Sequence, residues 1–569
     1  MLNLLFLVAL SLLHGGAAAH DLNSAAPDLN SAWPPDTPCP GNTPRTRSRW
    51  CRYSIDTDYT RHTPDTGVTR EYFLELTDVV VALDGVPRPA MAVNGAIPGP
   101  TIFADWGDTV VVHVKNSLHR SGNGTSIHFH GIRQLFSNQN DGVVSITQCP
   151  TAPGRSITYT WKALQYGSSW YHSHFGLQTW EGVYGGIVIN GPATANYDED
   201  LGSLLLSDWS HTTVDEFSAR DRGHLLPPLM DSGLLNGTNV FRNGGRWLNV
   251  RLKPGRSYRL RLVNAAVNTH FKFSIDHHVL KVIAADFVPI VPYETGKVDI
   301  TMGQRYDIVI TADQGAIASN FWMRAVPQAL CSANRNAFNI RGIVHYDERP
   351  STPRTLGRLD PPTCHDESMN DLVPHIRKDV GRADLETLET VAVRRDGPIF
   401  LWTLNSTSMR VEWDNPTIGK VLNKEGFRES NAIIELPNAN ELFYMVIQTH
   451  LPIPHPIHLH GHDFYVLAQG LGPFRRELVR LNRRNPTRRD TANLPASGYL
   501  VLAWETDNPG AWLMHCHIGF HKSDGFALQF IERASEMAEI TDARSLENGC
   551  ASWASFQSRR FIEQDDSGV

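Results

Sequence analysis

The seven residues His515-Cys516-His517-Ile518-Gly519-Phe520-His521 constrain this chain more than any other stretch. On an extended strand, successive side chains point to opposite faces. Cys516 then faces one way and His515 and His517 face the other, so one short segment serves two sites. A thiolate joined by imidazoles, here Cys516 with His521 just beyond the strand end, is a ligand set for a mononuclear electron-transfer copper. His515 and His517 suit a different metal cluster behind it. The covalent path from the sulfur to either neighbouring imidazole is a few bonds long, so an electron entering at Cys516 has a built-in exit. The bland alternative is a buried free thiol flanked by core histidines.

Three further His-x-His pairs weaken that alternative: His128-Phe129-His130, His172-Ser173-His174 and His458-Leu459-His460. His455 precedes the last in His455-Pro456-Ile457-His458-Leu459-His460-Gly461-His462. One such pair on a strand puts two imidazoles on one face and is weak evidence alone. Four in one chain, one of them straddling a cysteine, is a strong signal. Imidazole suits Cu, Zn, Fe and Ni, whereas a thiolate with two imidazoles points to copper. His113, His277 and His278 read as exposed or core histidines rather than ligands. The basic run Arg483-Arg-Asn-Pro-Thr-Arg-Arg489 reads as a solvated loop rather than an anion site.

A chain of 569 residues is too long for one ordinary core and calls for about three or four domains. Its net charge of -7 gives no basic footprint for nucleic acid. No nucleotide-binding glycine motif stands in a suitable strand–helix context. The apolar run Leu2–Leu13, followed by Gly15-Gly16-Ala17-Ala18-Ala19, reads as a secretory signal peptide over residues 1–19, too short for a membrane span. A secreted chain without a membrane partner is expected. Seven cysteines leave one odd thiol. Cys516 is the natural odd one, because a metal ligand must be a free thiolate. The other six, Cys39, Cys51, Cys149, Cys331, Cys364 and Cys550, allow fifteen pairings as far as spacing goes. Asn123-Gly-Thr, Asn236-Gly-Thr and Asn405-Ser-Thr are glycosylation sequons, each an expectation of surface exposure.

Short β-branched runs alternating with Gly, Pro, Asn and Asp turns predict β-sandwiches or barrels. A coarse repeat divides them. Aromatic strands recur at Ser169-Trp170-Tyr171-His172-Ser173-His174, Asn320-Phe321-Trp322-Met323-Arg324 and Ala511-Trp512-Leu513-Met514-His515-Cys516-His517. Each is followed by a second short strand: Gly186-Ile-Val-Ile, Arg341-Gly-Ile-Val-His-Tyr and Phe526-Ala-Leu-Gln-Phe-Ile. Three units of one sandwich type follow, at 68–195, 196–352 and 375–535. The middle unit has no His-x-His at the matching positions and reads as a spacer that helps wall a pocket. Residues 20–67, rich in Pro, Ser, Thr and Asp, read as a processed or loosely packed leader. Residues 353–374 read as a linker and 536–569 as a C-terminal extension.

On these histidine and cysteine motifs the chain resembles the multicopper oxidases, and closely resembles the laccases of filamentous ascomycete fungi, from Cys39 to Val569. The resemblance implies an all-β fold of three consecutive cupredoxin-like Greek-key domains. It implies the disulfides Cys39–Cys51, Cys149–Cys550 and Cys331–Cys364. It implies four copper ions in a chain that acts as a monomer. The type 1 copper falls to His455, Cys516 and His521, with Phe526 at the axial position. Phenylalanine has no lone pair to donate, so the potential should lie high. The type 2 copper falls to His128 and His458. One type 3 copper falls to His130, His172 and His517, the other to His174, His460 and His515. Asp141 matches the family carboxylate beside the type 2 copper, against a plain reading as an Asp-Gly turn residue. The ending Asp565-Asp566-Ser567-Gly568-Val569 resembles the tail that plugs the channel to the cluster, with Asp566 as its acid.

The implied reaction is one-electron oxidation of phenolic substrates coupled to reduction of dioxygen to water, including phenol coupling in secondary metabolism. On the substrate side His455, Phe520 and Asn268 are expected in the pocket. Asn268 stands where the family carries Asp or Glu, and an amide is no base near neutral pH. Two rivals stand beside this reading. A ferroxidase would want acidic residues near His455, and Asn268 removes one. A copper-storage protein would not need a strand cysteine flanked by two cluster ligands.

Overall fold

The computed structural model describes residues 39–221, 228–358, 360–397, 399–560, 562–564 and 566–569. The expected signal peptide lies outside them. Two small hairpins aside, the described strands form six sheets, which come as three pairs along the chain. One sheet of each pair is built on a parallel contact between its early strands: Thr69–Val81 with Thr109–Ser117, Glu199–Trp209 with Ser257–Asn264, and Leu385–Asp396 with Leu442–Thr449. The other pairs an opening strand parallel to a closing one: Gly99–Asp105 with Tyr184–Asn190, Asn249–Arg251 with Arg341–His345, and Ile433–Leu436 with Ala527–Glu532. Parallel neighbours cannot be joined by a hairpin, so the chain must cross between sheets. The same crossing occurs three times, as expected of three sandwiches of one type.

Sequence alternation sets which face is buried. In Thr109–Ser117 the even positions Val110, Val112 and Val114 are fully buried, while Lys115 is exposed. Each such side chain contributes about 1.5–3 kcal/mol by leaving water. A charge at Val112 would break that face. The aromatic strands of the repeat pair antiparallel with their followers in all three units.

Two connecting segments are more firmly held than their composition predicts. From Cys39 on, the leader is seated: Trp50, Ile55 and Tyr59 pack into the core of the first unit. Arg47 is buried, with Nη1 donating to Asn42 Oδ1 at 2.8 Å and Nε to the Tyr197 carbonyl at 3.1 Å. A few aromatic anchors outweigh the polar composition. The strap between His345 and Leu385 holds no described strand or helix. It is nevertheless tied to both flanking units. The Asp366 carboxylate accepts from Gln304 Nε2 at 2.6 Å, the Asn493 amide at 2.8 Å and Gln469 Nε2 at 3.1 Å.

Disulfides join Cys39–Cys51, Cys149–Cys550 and Cys331–Cys364, and Cys516 is a buried free thiol. Cys149–Cys550 ties the helix Ala543–Arg560 to the first unit, where Trp553 is fully buried near Phe175 and Trp413. Of the sequons, Asn405 is exposed and Asn123 half-buried. Asn236 corrects the expectation. It is buried, its Oδ1 accepts the Leu205 amide at 2.7 Å and its Nδ2 donates to the Ser203 carbonyl at 3.1 Å, so it holds a turn rather than presenting an acceptor. Among the described residues no helix is long and apolar enough to cross a membrane.

Candidate metal centres

Four strands carry the histidines: β1 (Ile127–Phe129), β2 (Gly167–Ser173), β3 (His455–Leu459) and β4 (Gly510–Cys516). β1 and β2 are antiparallel with His128 opposite His172. β3 and β4 are antiparallel with His458 opposite His515. Register therefore brings His-x-His to His-x-His in the first unit and again in the third. The two ladders then meet: the His128 and His460 rings lie 4.0 Å apart, and His130 stacks on His458 at 3.8 Å. Eight imidazoles converge in one buried cluster. Within it the ligand atoms of His174, His460 and His515 lie within 4.8 Å of one another, as do those of His128, His458 and His460, and of His128, His130 and His172. His517 reaches His130 at 5.1 Å and His172 at 5.7 Å between rings.

The donor chemistry fits a metal. His128, His172, His458, His460, His515 and His517 each leave a buried Nε2 without a hydrogen-bond partner, His130 leaves Nδ1, and His174 leaves both nitrogens. Orphaned buried nitrogens in such number call for a ligand. The opposite nitrogens are fixed: His128 Nδ1 donates to the Asp141 carbonyl at 2.8 Å, His458 Nδ1 to the Asp490 carbonyl at 2.8 Å, and His515 Nδ1 to the Cys516 carbonyl at 2.9 Å. That sets the tautomer and aims the lone pair inward. Burial, then neighbouring rings, hold the pKa values of His130, His172, His458 and His515 well below the ordinary range, and burial, then the Lys522 ammonium, does the same for His174. The rings stay neutral, which a metal requires.

Asp141 stands behind this cluster. His460 Nδ1 donates to its Oδ2 at 2.8 Å, and His128 Nδ1 lies 3.3 Å from its Oδ1. Burial pushes the carboxyl up, but His460 and His128 outweigh it, and its pKa is lowered. Its place depends on Gly142, whose φ is +76° and whose added Cβ would lie 1.8 Å from the Ile127 carbonyl oxygen. Only glycine lets the Asp-Gly turn press against β1.

Motif reading missed a second support. Asp490 is fully buried, and its Oδ1 lies 3.2 Å from His130 Nε2. It is held by Arg305 of the middle unit, whose neighbour Asp286 also binds Arg489. Arg488 and Arg489 are therefore buried, and the solvated-loop reading holds only for the exposed Arg483 and Arg484. The middle unit also presses Gly303 (φ +83°) so close that an added Cβ would lie 2.9 Å from His517 and 3.0 Å from His130. It is more than a spacer. A signal was present in Arg488-Arg489-Asp490, since charges of both signs beside a buried strand need partners, which Asp286 and Arg305 supply.

On the other side of β4, Cys516 Sγ lies 3.6 Å from His521 Nδ1 and 3.8 Å from His455 Nδ1, and the two nitrogens are 3.3 Å apart. Three donors around one ion at about 2.0–2.3 Å would be separated by about 3.5–4 Å. Burial pushes the Cys516 thiol up, so a bound cation is what would make it a thiolate. Trp402 covers His521 at 3.9 Å between rings, and Phe526 lies 5.0 Å from the His455 ring. His521 sits on helix α1 (Gly519–Ser523).

A cavity of about 920 Å³ is lined by Phe520 and His521 of α1 and by Phe217, Trp553 and Asp566. His455 and Asn268 are not in its wall. His455 and His521 are both buried; of the two, His521 lines this cavity, while His455 packs against Trp402 and Phe526. Asn268 is buried beneath α1. Its amide donates to Asp208 Oδ2 at 2.8 Å, and the preceding Val267 carbonyl accepts the Gly519 amide at 3.0 Å. Burial raises the Asp208 pKa against three hydrogen bonds that lower it, from the amides of Val267 and Asn268 and the hydroxyl of Thr269. Asp566 belongs to a segment seated by the Ser523 and Lys522 carbonyls, which accept from the Ser567 amide and hydroxyl.

Family models described as multicopper oxidase match residues 75–194, 200–349 and 400–536. The chain is 44% identical to a protein named Laccase-2 from Botryotinia fuckeliana, over 93% of each chain. It is 36% identical to dihydrogeodin oxidase from Aspergillus terreus, over 93% of this chain and 95% of that one. It is similar to the crystal structure of the laccase from Botrytis aclada, with a TM-score of 0.89 at 44% identity, over 93% of this chain and 99% of that one.

Proposed function

The chain belongs to the multicopper oxidase family, and on that premise we propose that it is a laccase-like oxidase acting on phenols with dioxygen as the oxidant. Copper is the cofactor the family implies. In this reading there are four ions, one at Cys516, His455 and His521 and three among the eight histidines of the cluster. When bound, they supply one-electron acceptance at the first site and four-electron reduction of dioxygen to two waters at the second. The observation that carries the reading is the division of one segment: Cys516 turns to His455 and His521 while His515 joins His174 and His460.

The chain's own residues do the rest. His521 lines the cavity, where Phe520 and Phe217 offer apolar walls to an aromatic ring. Trp402 and Phe526 exclude water from the sulfur site and supply no further donor, which favours a high potential. Asp141 orients His128 and His460. Asn268, buried beneath α1 and outside the cavity wall, supplies no proton-accepting carboxylate, which fits a specialised phenol-coupling role in secondary metabolism. The apolar Leu2–Leu13 run supports export of the chain.

The test is the visible spectrum of the copper-loaded protein, with oxygen uptake on a phenol and on Fe²⁺. An intense blue absorption with faster uptake on the phenol is expected. A colourless loaded protein, or uptake on Fe²⁺ alone, would overturn the reading.

A further inference from the structure

Arg88 and Glu181 form a buried ion pair, with Arg88 Nη2 2.5 Å from Glu181 Oε2. Both belong to the first unit: Arg88 opens the strand Arg88–Val93, and Glu181 ends the short helix Gln178–Glu181. Both also reach across to the second unit. Arg88 Nη1 donates to the carbonyls of Ser210 at 2.8 Å and Thr212 at 3.2 Å, and its guanidinium lies 4.2 Å over the Trp209 ring. Glu181 Oε1 accepts the Val214 amide at 2.6 Å, the first amide of the helix Val214–Asp221. A carboxylate there satisfies an amide with no partner inside the helix and faces the positive end of its dipole. Thr213 and Glu216 close the same turn: the Glu216 amide donates to Thr213 Oγ1 at 3.3 Å, and the Thr213 amide to Glu216 Oε2 at 3.1 Å. The helix then delivers Phe217, whose amide donates to the Thr213 carbonyl at 3.0 Å. The Phe217 ring meets Phe520 edge-on at 5.6 Å. Trp180, the residue before Glu181, meets Phe520 edge-on at 5.1 Å, and its Nε1 donates to the Thr212 carbonyl at 3.2 Å.

We infer that Arg88 and Glu181 are positioning residues for substrate selection: they clamp the start of the helix Val214–Asp221 and so set Phe217 against Phe520 as the wall that receives a phenol ring. A buried ion pair contributes little net stability, and an apolar pair of similar volume often serves a fold as well. An apolar pair could not bind two carbonyls on one side and a helix amide on the other. The clamp ties three units together at the cavity, since Arg88 and Glu181 come from the first, Phe217 from the second and Phe520 from the third. Neither clamp residue is a metal ligand candidate, so the wall can shift while the sulfur site keeps its donors. The inference rests on the phenol reading of the cavity and adds which residues hold its apolar wall.

The experiment compares variants of the full-length, copper-loaded protein by KM, kcat, Tm and blue absorption. Arg88→Met keeps the aliphatic stem and loses the bonds to Ser210 and Thr212. Its KM for a dimethoxyphenol should rise about tenfold, with kcat within about twofold and the blue absorption unchanged. Its KM for ferrocyanide, a small inorganic donor with no ring to seat, should stay at the wild-type value. Arg88→Met/Glu181→Gln removes both charges, so its Tm should recover toward wild type while the phenol KM stays raised. A KM that recovers together with Tm would show a merely structural pair and overturn the inference. Arg88→Met/Phe217→Ala should have a KM no higher than the larger single variant, because both changes act on one wall; effects that multiply would overturn the link to Phe217. Should Arg88→Met fail to fold, the neutral double variant decides alone, and a wild-type phenol KM there is the overturning result. A wild-type protein that oxidises no phenol ends the phenol reading itself, whereas a wild-type KM in the variants ends the clamp alone.

Discussion

Arg305 of the middle unit grips Asp490 of the third with both arms of its guanidinium, Nη1 to Oδ1 at 2.6 Å and Nη2 to Oδ2 at 2.5 Å. Both side chains are fully buried. Asp490 in turn touches His130, a ligand candidate from the first unit. Three units thus meet in one ion pair. Burial pushes the Asp490 pKa up, and Arg305 is the group that opposes it. Arg305→Met should leave Asp490 uncompensated beside the cluster, while Arg489 still holds Asp286. Loss of such a support typically costs about 10–100-fold in metal affinity. We expect copper lost from the histidine cluster while the sulfur site stays blue, read as copper content against blue absorbance. Full copper content would refute the role.

Cys516→Ser removes the thiolate and leaves His455 and His521 in place. The blue absorption should vanish and phenol oxidation should fall to background. Copper at the histidine cluster should remain, at about three ions per chain in metal analysis, since His515 and His517 face away from the sulfur. A blue Cys516→Ser protein would end the assignment.

Asn268→Asp should speed phenol oxidation by part of the about 10² to 10⁴ that general-base help supplies. The new carboxyl helps only when ionised, and its ordinary pKa is about 4. Asp208 accepts the Asn268 amide, and its negative charge would push the new carboxyl upward. The gain should therefore set in above about pH 4, in rates for a dimethoxyphenol from pH 3 to 7. A non-phenolic dye loses no proton and should change little. If both rates move together, Asn268 does not hold the proton-accepting position.

Glu389 offers a pH test away from the metal sites. Burial pushes its pKa up to about 7. The folded state then holds a proton that the unfolded chain releases above about pH 4.5. Stability is lost as pH rises through that window toward the folded value. Glu389→Gln should raise Tm by about 1–3 °C at pH 8 and leave it almost unchanged at pH 4. A larger gain at pH 4 than at pH 8 would contradict the burial argument.

The candidate ligands were legible because each is a local pattern. A strand alternates faces, so His-x-His and His-Cys-His announce their geometry without any long-range contact. The repeat was legible for the same reason, from Trp170, Trp322 and Trp512 and the short strands that follow them. What escaped depends on partners far apart in sequence. Arg489 reads as exposed until Asp286 is brought to it across two units. Asn236 reads as a surface acceptor until the amide of Leu205 closes on it. Trp50 and Tyr59 seat a leader whose composition is that of a loose one. His455 was expected at the substrate face, but only the packing of Trp402 and Phe526 decides which of two imidazoles lines the cavity.

The cluster is split between β1–β2 and β3–β4, and the split has a consequence in time. His174 and His458 are separated by 284 positions of chain, 458 minus 174. At about 5–20 residues per second, a ribosome takes roughly 15–60 s to cover that distance. Throughout the interval the first four imidazoles exist without the other four. Copper loading is thus a late event, open only to a chain whose last third has been made and docked, and the filled cluster certifies that assembly is complete.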